Sequence, residues 1–232
     1  MDCSRQAYPV LARGVALAKS YGAGDHSIPA LNGMNLDVAT SQMVMITGES
    51  GSGKSTLLSL LGCLDKPDAG RVEIAGTCVS QLPEKALTRF RRQHIGFIFQ
   101  NFHLIPVLTV LENIQYAMQI KGVGKPGQRQ ADDLIELLGL QKVRHQKANE
   151  LSGGQMQRTA IARALTGSPA LILADEPTAN LDSENKSNVM QALKHACRHQ
   201  GAAVLLVTHD KELSAWADRV VQMRDGREIE VC

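Results

Sequence analysis

The chain has 232 residues, 44% of them hydrophobic and 21% charged, and its formal net charge at pH 7 is +2. This length and composition suffice for a sizeable buried core, and the small net charge gives no indication of binding to nucleic acid. No run approaches the roughly eighteen apolar residues of a membrane-spanning helix, and residues 1–10 lack the basic start and apolar core of an export signal.

Short apolar runs along the chain predict strands of two kinds. One set has the spacing of an antiparallel sheet edge and comprises residues 15–19, 34–39 and 71–75. The other set alternates with helical stretches and comprises residues 43–47, 95–99, 170–174 and 203–207. This alternation predicts a parallel α/β core, and the sequence DGRE at 225–228 predicts a hairpin turn.

The segment GESGSGKS at 48–55 lies between an apolar run and a stretch that is apolar at helical spacing. It matches the phosphate-binding pattern G-x-x-x-x-G-K-[ST], in which backbone N–H groups and a helix N-terminus face the phosphates of a nucleotide. Lys54 is expected to reach the β- and γ-phosphates, and Ser55 to bind magnesium. A flexible turn is the alternative, although a chance match in such a chain has odds of about one in a hundred. The predicted nucleotide-binding residues here are Gly48, Glu49, Ser50, Gly51, Ser52, Gly53, Lys54, Ser55 and Thr56.

A helical insertion is predicted over roughly 101–165. Thr109 and Glu112 form a capping-box pattern before one helix, and a second helix is predicted at ADDLIELLGL, residues 131–140. The stretch KGVGKPG at 121–127 is predicted to be a linker within the insertion and not a domain boundary. A basic cluster precedes the insertion, and we interpret it as a solvated helix face rather than a contact with lipid headgroups: Arg89, Arg91 and Arg92.

The pentapeptide LSGGQ at 151–155 introduces another helical stripe. Ser152 and the two glycines are therefore expected at a helix N-terminus, which is a second anion-binding position. A simple N-cap at Ser152 is the alternative; it explains the serine but not Gly153, Gly154 or Gln155.

Two acids end the apolar run in LILADEP at 171–177. Asp175 fits the acid that binds magnesium at the end of a core strand, and Glu176 lies where a general base could polarise the attacking water. A strand ending in two acids is, on its own, more often a solvated turn or a helix N-terminus. Downstream of a phosphate-binding loop, the catalytic interpretation is favoured.

The phosphate-binding loop and LSGGQ together resemble the ATPases of ATP-binding-cassette (ABC) transporters, over about Val15 to Glu230. The resemblance implies a P-loop NTPase (RecA-like) parallel-sheet core with an antiparallel β subdomain and an α-helical insertion. It implies one ABC ATPase domain over 1–232, with the core and antiparallel part at about 1–100 and 166–232. It also implies ATP and Mg²⁺ as ligands. Because LSGGQ in that family closes over the γ-phosphate bound by the other subunit, a dimer of this chain with two ATPs at its interface is implied.

Four further positions carry roles by this resemblance. Tyr21 resembles the aromatic residue that stacks on adenine, and Gln100 the glutamine that contacts magnesium and the attacking water. Asp182, in ANLD at 179–182, resembles the residue that crosses the dimer interface. His209 resembles the histidine that contacts the γ-phosphate. Each alone is more often a cap or a surface group; their order and spacing favour the family roles.

Two segments resemble one branch of the family in sequence: LLGCLDKPDAGRVEIAG at 60–76 and RRQHIGFIFQNFHLIPVLTVLENI at 91–114. That branch serves macrolide exporters, lipoprotein-release complexes and FtsX-like division permeases, which implies an integral membrane permease as partner and a place at the cytoplasmic face of the inner membrane. A groove near FHLIPVLTVLENI is implied to receive a cytoplasmic helix of the permease, with core packing as the alternative. The apolar residues concerned are Phe102, Leu104, Ile105 and Leu108.

Two other classes of function are alternatives. A soluble ABC ATPase of the cluster-assembly type stays open, whereas the long insertions of repair members and the paired cassettes of translation members are missing from the sequence. A regulatory module that binds ATP without hydrolysis commonly lacks the base or the histidine, and this chain has both Glu176 and His209. The five cysteines form no C-x-x-C pair and fit reduced thiols in a reducing compartment: Cys3, Cys63, Cys78, Cys197 and Cys232.

Overall fold

The computed structural model describes residues 9–22, 26–124, 127–179 and 181–229. Cys3 and Cys232, Asn180 of the ANLD segment, and residues 125–126 of the predicted linker lie outside the described residues.

A six-stranded sheet forms the centre of the fold. Its strands are β3 (Met43–Thr47), β6 (Ile95–Ile98), β7 (Leu171–Asp175), β8 (Ala203–Val207), β9 (Arg219–Arg224) and β10 (Arg227–Ile229). They lie in the order β10-β9-β3-β8-β7-β6, and every pairing is parallel except the β9–β10 hairpin. The predicted parallel core and the hairpin turn at 225–228 are thus confirmed.

Both faces of this sheet are buried at its central strands β3, β7 and β8, which explains why these strands read as almost continuous apolar runs. Because side chains alternate along a strand, Met43 and Met45 belong to one hydrophobic cluster, whereas Val44 and Ile46 belong to the other. The same alternation holds in β7 and β8, where every residue except Asp175 is completely or nearly completely buried. The sheet is therefore a rigid central layer with an apolar layer on each side.

A four-stranded antiparallel sheet covers one side. Its strands are β1 (Val10–Tyr21), β2 (Ile28–Ala39), β4 (Ala69–Ile74) and β5 (Thr77–Cys78), in the order β2-β1-β4-β5. The predicted strands 15–19 and 34–39 are confirmed but are only parts of twelve-residue strands. A bidentate ion pair between exposed side chains, Arg13 and Asp37, joins β1 to β2 at 2.8 and 2.9 Å.

Six α-helices are described: α1 (Lys54–Leu61), α2 (Glu84–His94), α3 (Val110–Lys121), α4 (Gly127–Leu137), α5 (Gly153–Leu165) and α6 (Ser183–Gln200). The helices α3 to α5 follow one another between β6 and β7, and their buried residues share one cluster with the central sheet. Helices are therefore present where the insertion was predicted, while the limits of a separate helical subdomain at 101–165 stay a prediction. No helix within the described ranges combines the length and apolarity needed to cross a membrane.

The predicted capping box begins α3. The Thr109 hydroxyl accepts a hydrogen bond from the Glu112 N–H at 3.2 Å, and the Glu112 carboxylate accepts one from the Thr109 N–H at 2.8 Å. The buried Asn113 side chain then donates to the carbonyls of Ile105, Leu108 and Thr109. These bonds fix the loop that precedes α3.

Lys121 connects the end of α3 with the end of α5. Its Nζ donates to the Thr166 carbonyl at 2.7 Å, and burial lowers the pKa of the ammonium group to about 8. The pKa of Lys121 is lower in the folded protein than its ordinary value of 10.5. Protonation of Lys121 below about pH 8 therefore destabilises the folded protein. This destabilisation disappears as the pH rises, because the folded protein then holds the neutral amine while the unfolded chain still binds the proton.

We expect this linkage to be visible in thermal unfolding. Between pH 8 and about 10.5, the Tm of the wild type should rise relative to Lys121→Met by roughly 5–10 °C, because the pKa of about 8 in the folded protein lies well below the ordinary value of 10.5, at about 1.4 kcal/mol per pKa unit and about 2–4 °C per kcal/mol. Scanning calorimetry of both proteins across this range measures the difference. Two curves that stay parallel with pH would contradict a lowered pKa for Lys121.

Candidate functional site

The phosphate-binding loop connects β3 to α1, as predicted. Gly48 and Gly53 both have positive φ angles, and a Cβ atom on either would lie 2.3 Å from a backbone carbonyl oxygen, that of Met223 or that of Ala30. The fixed glycines of the pattern are thus required by the strands packed against the loop. Next to the loop lies a pocket of about 300 Å³, lined by Ala30, Ser50, Gly51, Gly53, Lys54, Ser55 and Thr56.

The Lys54 ammonium group lies over the start of its own loop. It donates to the carbonyl oxygens of Gly48 at 2.9 Å and Glu49 at 2.6 Å, and to the Ser52 hydroxyl at 3.2 Å. These contacts hold the positive charge in the concavity of the loop, where an anion would be bound. Ser52 itself is buried, and its carbonyl accepts a hydrogen bond from the Gly226 N–H, which ties the loop to the β9–β10 turn.

Ser55 and Asp175 lie together although 120 residues separate them. The Ser55 hydroxyl donates to the Asp175 carboxylate at 3.1 Å. Burial raises the pKa of Asp175, the charge of Glu176 raises it further, and the bond from Ser55 and the charge of Lys54 oppose the rise. Magnesium is usually bound by one or two protein oxygens together with phosphate oxygens, so this hydroxyl and carboxylate fit it.

Glu176 lies directly after β7 in the left-handed region, with φ of 49°. One carboxylate oxygen, Oε1, accepts from the His209 backbone N–H at 3.0 Å and lies 2.8 Å from His209 Nδ1. The other, Oε2, accepts from the Thr208 hydroxyl at 3.0 Å. The predicted base and the predicted γ-phosphate histidine are therefore in direct contact, and the His209 ring is largely exposed, at 79% of its side chain.

The parallel register brings the carboxyl ends of four strands to one edge of the sheet. Ile98 pairs with Ala174, and Val207 pairs with both Ile46 and Asp175. Gln100 follows its strand by two residues and is exposed, so it lies at the same edge as Glu176. This is the position at which open α/β sheets bind ligands.

The LSGGQ segment forms the start of α5. The Ser152 hydroxyl accepts from the Gln155 N–H at 3.3 Å, and the Gln155 side chain accepts from the Ser152 N–H at 2.8 Å. The interpretation that an N-cap leaves Gln155 unexplained is therefore wrong, because the glutamine completes a capping box. None of the residues 152–155 lines the pocket beside the phosphate-binding loop, so one copy of the chain does not bring the two motifs together in that pocket.

Tyr21 and Asp182 each have contacts within the chain. Tyr21, at the end of β1, is 46% exposed, and its hydroxyl donates to Asp65 at 3.2 Å. Asp182 is the N-cap of α6 and accepts from the Asn185 N–H at 2.8 Å, and this bond is the main reason why the pKa of Asp182 is lowered. Their predicted roles in adenine stacking and at a dimer interface stay predictions.

Three residues contact the site without belonging to any motif recognised in the sequence. Thr208 bonds to Glu176, and the buried Gln157 of α5 donates to the Pro177 carbonyl at 2.8 Å. Arg163 of α5 donates to the carbonyls of Phe102 and His103, which follow Gln100 closely. For Gln157, the sequence does contain a signal. It lies four residues before Ile161 and eight before Leu165, so it is a polar residue on the apolar stripe of α5.

A larger cavity, about 510 Å³, lies away from this edge between the antiparallel sheet and the β9–β10 hairpin. Its charged side chains are already paired in large part, Arg13 with Asp37 and Arg219 with Glu228. It shares no lining residue with the pocket at the phosphate-binding loop. The chemistry of the loop, and not cavity size, identifies the candidate site.

Comparison with known proteins agrees with this geometry. The family described as ABC transporter matches residues 31–179, more than half of the chain. The lipoprotein-releasing system ATP-binding protein LolD 2 of Caulobacter vibrioides is 46% identical over 221 residues, covering 94% of this chain and 96% of LolD 2. The macrolide export ATP-binding/permease protein MacB of Escherichia coli K12 is 44% identical over 211 residues, covering 90% of this chain. The chain spans 32% of the length of MacB.

Solved structures are similar as well. The ATP-binding cassette MJ0796, in a dimeric post-hydrolysis state bound to ADP and Pi, has a TM-score of 0.89 and 40% identity, covering 95% of this chain and 97% of that one. The protein cbiO1 from Clostridium perfringens is part of the ABC transporter complex cbiONQ. It has a TM-score of 0.83 and 26% identity, covering 96% of this chain and 88% of that one.

Proposed function

The chain belongs to the ABC transporter family, and from this we propose that it is the ATP-binding and ATP-hydrolysing subunit of a membrane transporter complex. One observation carries the proposal: the Ser55–Asp175 hydrogen bond lies at the same sheet edge as a carboxylate, Glu176, that is bound to His209. A nucleotide-binding loop, a magnesium ligand and a base for water are thereby adjacent. The transporter relatives favour this function over a soluble ATPase of the cluster-assembly type.

ATP is proposed to bind with its phosphates in the loop at 48–55 and its adenine near Tyr21. Lys54 holds the β- and γ-phosphates once it exchanges a loop carbonyl for a phosphate oxygen. Ser55 and Asp175, with Gln100 nearby, would hold magnesium, which would supply positive charge to neutralise the phosphate oxygens.

For hydrolysis, the chain must position the attacking water and the γ-phosphate and must provide a proton acceptor. We assign the acceptor to Glu176, whose carboxylate is only 14% exposed and is fixed by three hydrogen-bond contacts. His209 is assigned to the γ-phosphate, and its bond to Glu176 couples the two groups. Gln100 is assigned to the attacking water.

The pocket is proposed to be completed by a second copy of the chain. In this arrangement Ser152, Gly153, Gly154 and Gln155 of one copy lie over the γ-phosphate bound by the other, with Asp182 at the interface. The dimeric MJ0796 cassette bound to ADP and Pi supports the arrangement. The helix N-terminus at Ser152 supplies N–H groups and a positive dipole end for the phosphate.

A permease is the proposed partner outside the dimer, of the kind that serves lipoprotein release or macrolide export and resembles FtsX or MacB. The LolD 2 and MacB relatives support this partner class. The subunit would then work at the cytoplasmic face of the inner membrane, with residues 101–165 as a helical subdomain that meets the permease.

The segment before α3 supplies the apolar surface for this contact. Phe102, Leu104, Ile105 and Leu108 are all only partly buried, and within the described chain neither hydrophobic cluster includes them. Val107, between them, is 70% exposed. Since Asn113 fixes this loop, its apolar side chains form a rigid surface suited to a helix of another protein.

Introducing charge into this segment is expected to release the permease. Phe102→Asp combined with Leu104→Asp should reduce co-purification of the membrane subunit from detergent at least about tenfold, since two desolvated carboxylates would face an apolar partner. Val107→Asp should act in the same direction, and its exposure means that it does not disturb folding.

The matched control combines Val10→Asp and Val220→Asp, two similarly exposed valines on β1 and β9. This control should leave co-purification unchanged. If the Phe102/Leu104 variant and Val107→Asp still retained the membrane subunit at the level of the control, docking at this segment would be wrong.

A further inference from the structure

Thr208 follows β8 and is completely buried, with 0% exposure. Its hydroxyl donates to Glu176 Oε2 at 3.0 Å and accepts from the Asp210 N–H at 3.1 Å. A hydroxyl group has a single proton. The Asp210 N–H is itself a donor, so the hydroxyl can only accept from it. The one proton of the hydroxyl is therefore available for the carboxylate of Glu176.

We propose that Thr208 is a positioning residue for hydrolysis, one that sets the direction of the Glu176 carboxylate. The proposal rests on the role of Glu176 as the base proposed above. Both donors on Oε1 belong to His209, whereas in the described chain the donor on Oε2 is Thr208. Without the hydroxyl, the carboxylate is anchored by one oxygen only and can turn about its last torsion, which is soft in glutamate.

An ion pair on α6 holds the loop that carries Thr208. Lys186 Nζ lies 2.6 Å from Asp210 Oδ2, and Asp210 Oδ1 accepts from the Glu212 N–H at 3.1 Å. The hydrogen bond from Lys186 is the main reason why the pKa of Asp210 is lowered. Lys186 is one turn after Asp182, so the bonds run from the start of α6 through Asp210 and Thr208 to the base.

Thr208→Val is the sharpest test, because valine keeps the shape of threonine and removes the hydroxyl. We expect kcat to fall about tenfold to a hundredfold, as for a misplaced catalytic group, while the affinity for a fluorescent ATP analogue changes less than about twofold. Thr208→Ser restores the hydroxyl and should recover most of kcat. A wild-type kcat in Thr208→Val, or a Thr208→Ser variant that is folded but as slow as the valine variant, would overturn the proposal.

Lys186→Met tests the ion pair that holds the loop of Thr208. The Lys186 side chain is partly exposed, so its replacement leaves no cavity in the core. Its control is Lys194→Met on the same helix, which removes a similar pair with Asp218 at 2.7 Å. Lys186→Met should lower kcat several-fold more than Lys194→Met at equal Tm. Equal kcat values in the two variants would remove Lys186 and Asp210 from the proposal.

A double variant separates this inference from the function on which it rests. If both residues act through one carboxylate, adding Thr208→Val to Glu176→Gln should not slow the residual hydrolysis further. An additive loss would overturn the positioning role. A wild-type rate in Glu176→Gln alone would instead refute the assignment of the base.

Discussion

Glu176→Gln is expected to keep ATP binding and to lose hydrolysis. Glutamine has nearly the same shape, so its side-chain oxygen can still accept from His209, but it cannot take a proton from water. Loss of a general base typically costs about 10²–10⁴ in rate, and we expect kcat to fall into that range. Steady-state phosphate release measures kcat, and equilibrium binding of a fluorescent ATP analogue measures affinity.

The same variant should accumulate an ATP-bound dimer, because hydrolysis is the step that removes the bridging γ-phosphate. Size-exclusion chromatography with light scattering, with and without ATP, detects this species. Glu212→Gln serves as the control, since it removes an exposed carboxylate three residues beyond His209 and should hydrolyse ATP normally. Full turnover by Glu176→Gln would remove this residue from the role of base.

The architecture could largely be predicted from the sequence because burial leaves a strong pattern. The predicted runs 43–47 and 203–207 coincide with β3 and β8, since a strand covered on both faces is apolar at every position. The ends of β1 and β2 were not predicted. Their residues range from the buried Ala12 and Leu31 to the exposed Ile28, so no continuous apolar run marks them, and cross-strand pairs such as Arg13 with Asp37 keep the two strands in register.

The site was only partly predictable, for a related reason. Lys54, Ser55 and Ser152 belong to motifs whose residues are close in sequence, so a pattern identifies them. The bonds between Ser55 and Asp175 and between Thr208 and Glu176 depend on the order of strands in the sheet, which no local pattern specifies. Thr208 belongs to none of the motifs recognised in the sequence, and its role is indicated by its burial and its hydrogen bond to the Glu176 carboxylate.

Substitution of Gly153 is expected to lower ATP hydrolysis without lowering the stability of the chain. Apart from its chain neighbours and the backbone of its own helix, a Cβ atom on Gly153 would meet no atom within 4 Å in the described part of the chain, whereas one on Gly154 would lie 3.3 Å from Leu181. Glycine in a helix costs up to about 1 kcal/mol relative to alanine. The contacts within this chain therefore give no reason for glycine at 153, whereas the proposed close approach of a nucleotide bound to the partner copy would supply one.

Gly153→Asp gives the strongest contrast. A carboxylate in the first turn of α5 interacts favourably with the helix dipole, so the Tm of the isolated chain should be unchanged or higher. In the dimer, the same charge would lie against a phosphate, and we expect kcat to fall at least about a hundredfold, equivalent to about 2.7 kcal/mol. Lys85→Asp, which adds a carboxylate to the exposed first turn of α2, is the control and should hydrolyse ATP normally.

Combining Gly153→Asp with Glu176→Gln identifies the step that is lost. If position 153 faces the nucleotide of the other copy, the double variant should bind ATP but no longer form the dimer that Glu176→Gln accumulates. Hydrolysis by the wild type should also rise more than linearly with protein concentration, since two copies build each site. Normal turnover by Gly153→Asp would mean that the start of α5 does not contribute to hydrolysis, and the two-copy site would then have to be abandoned.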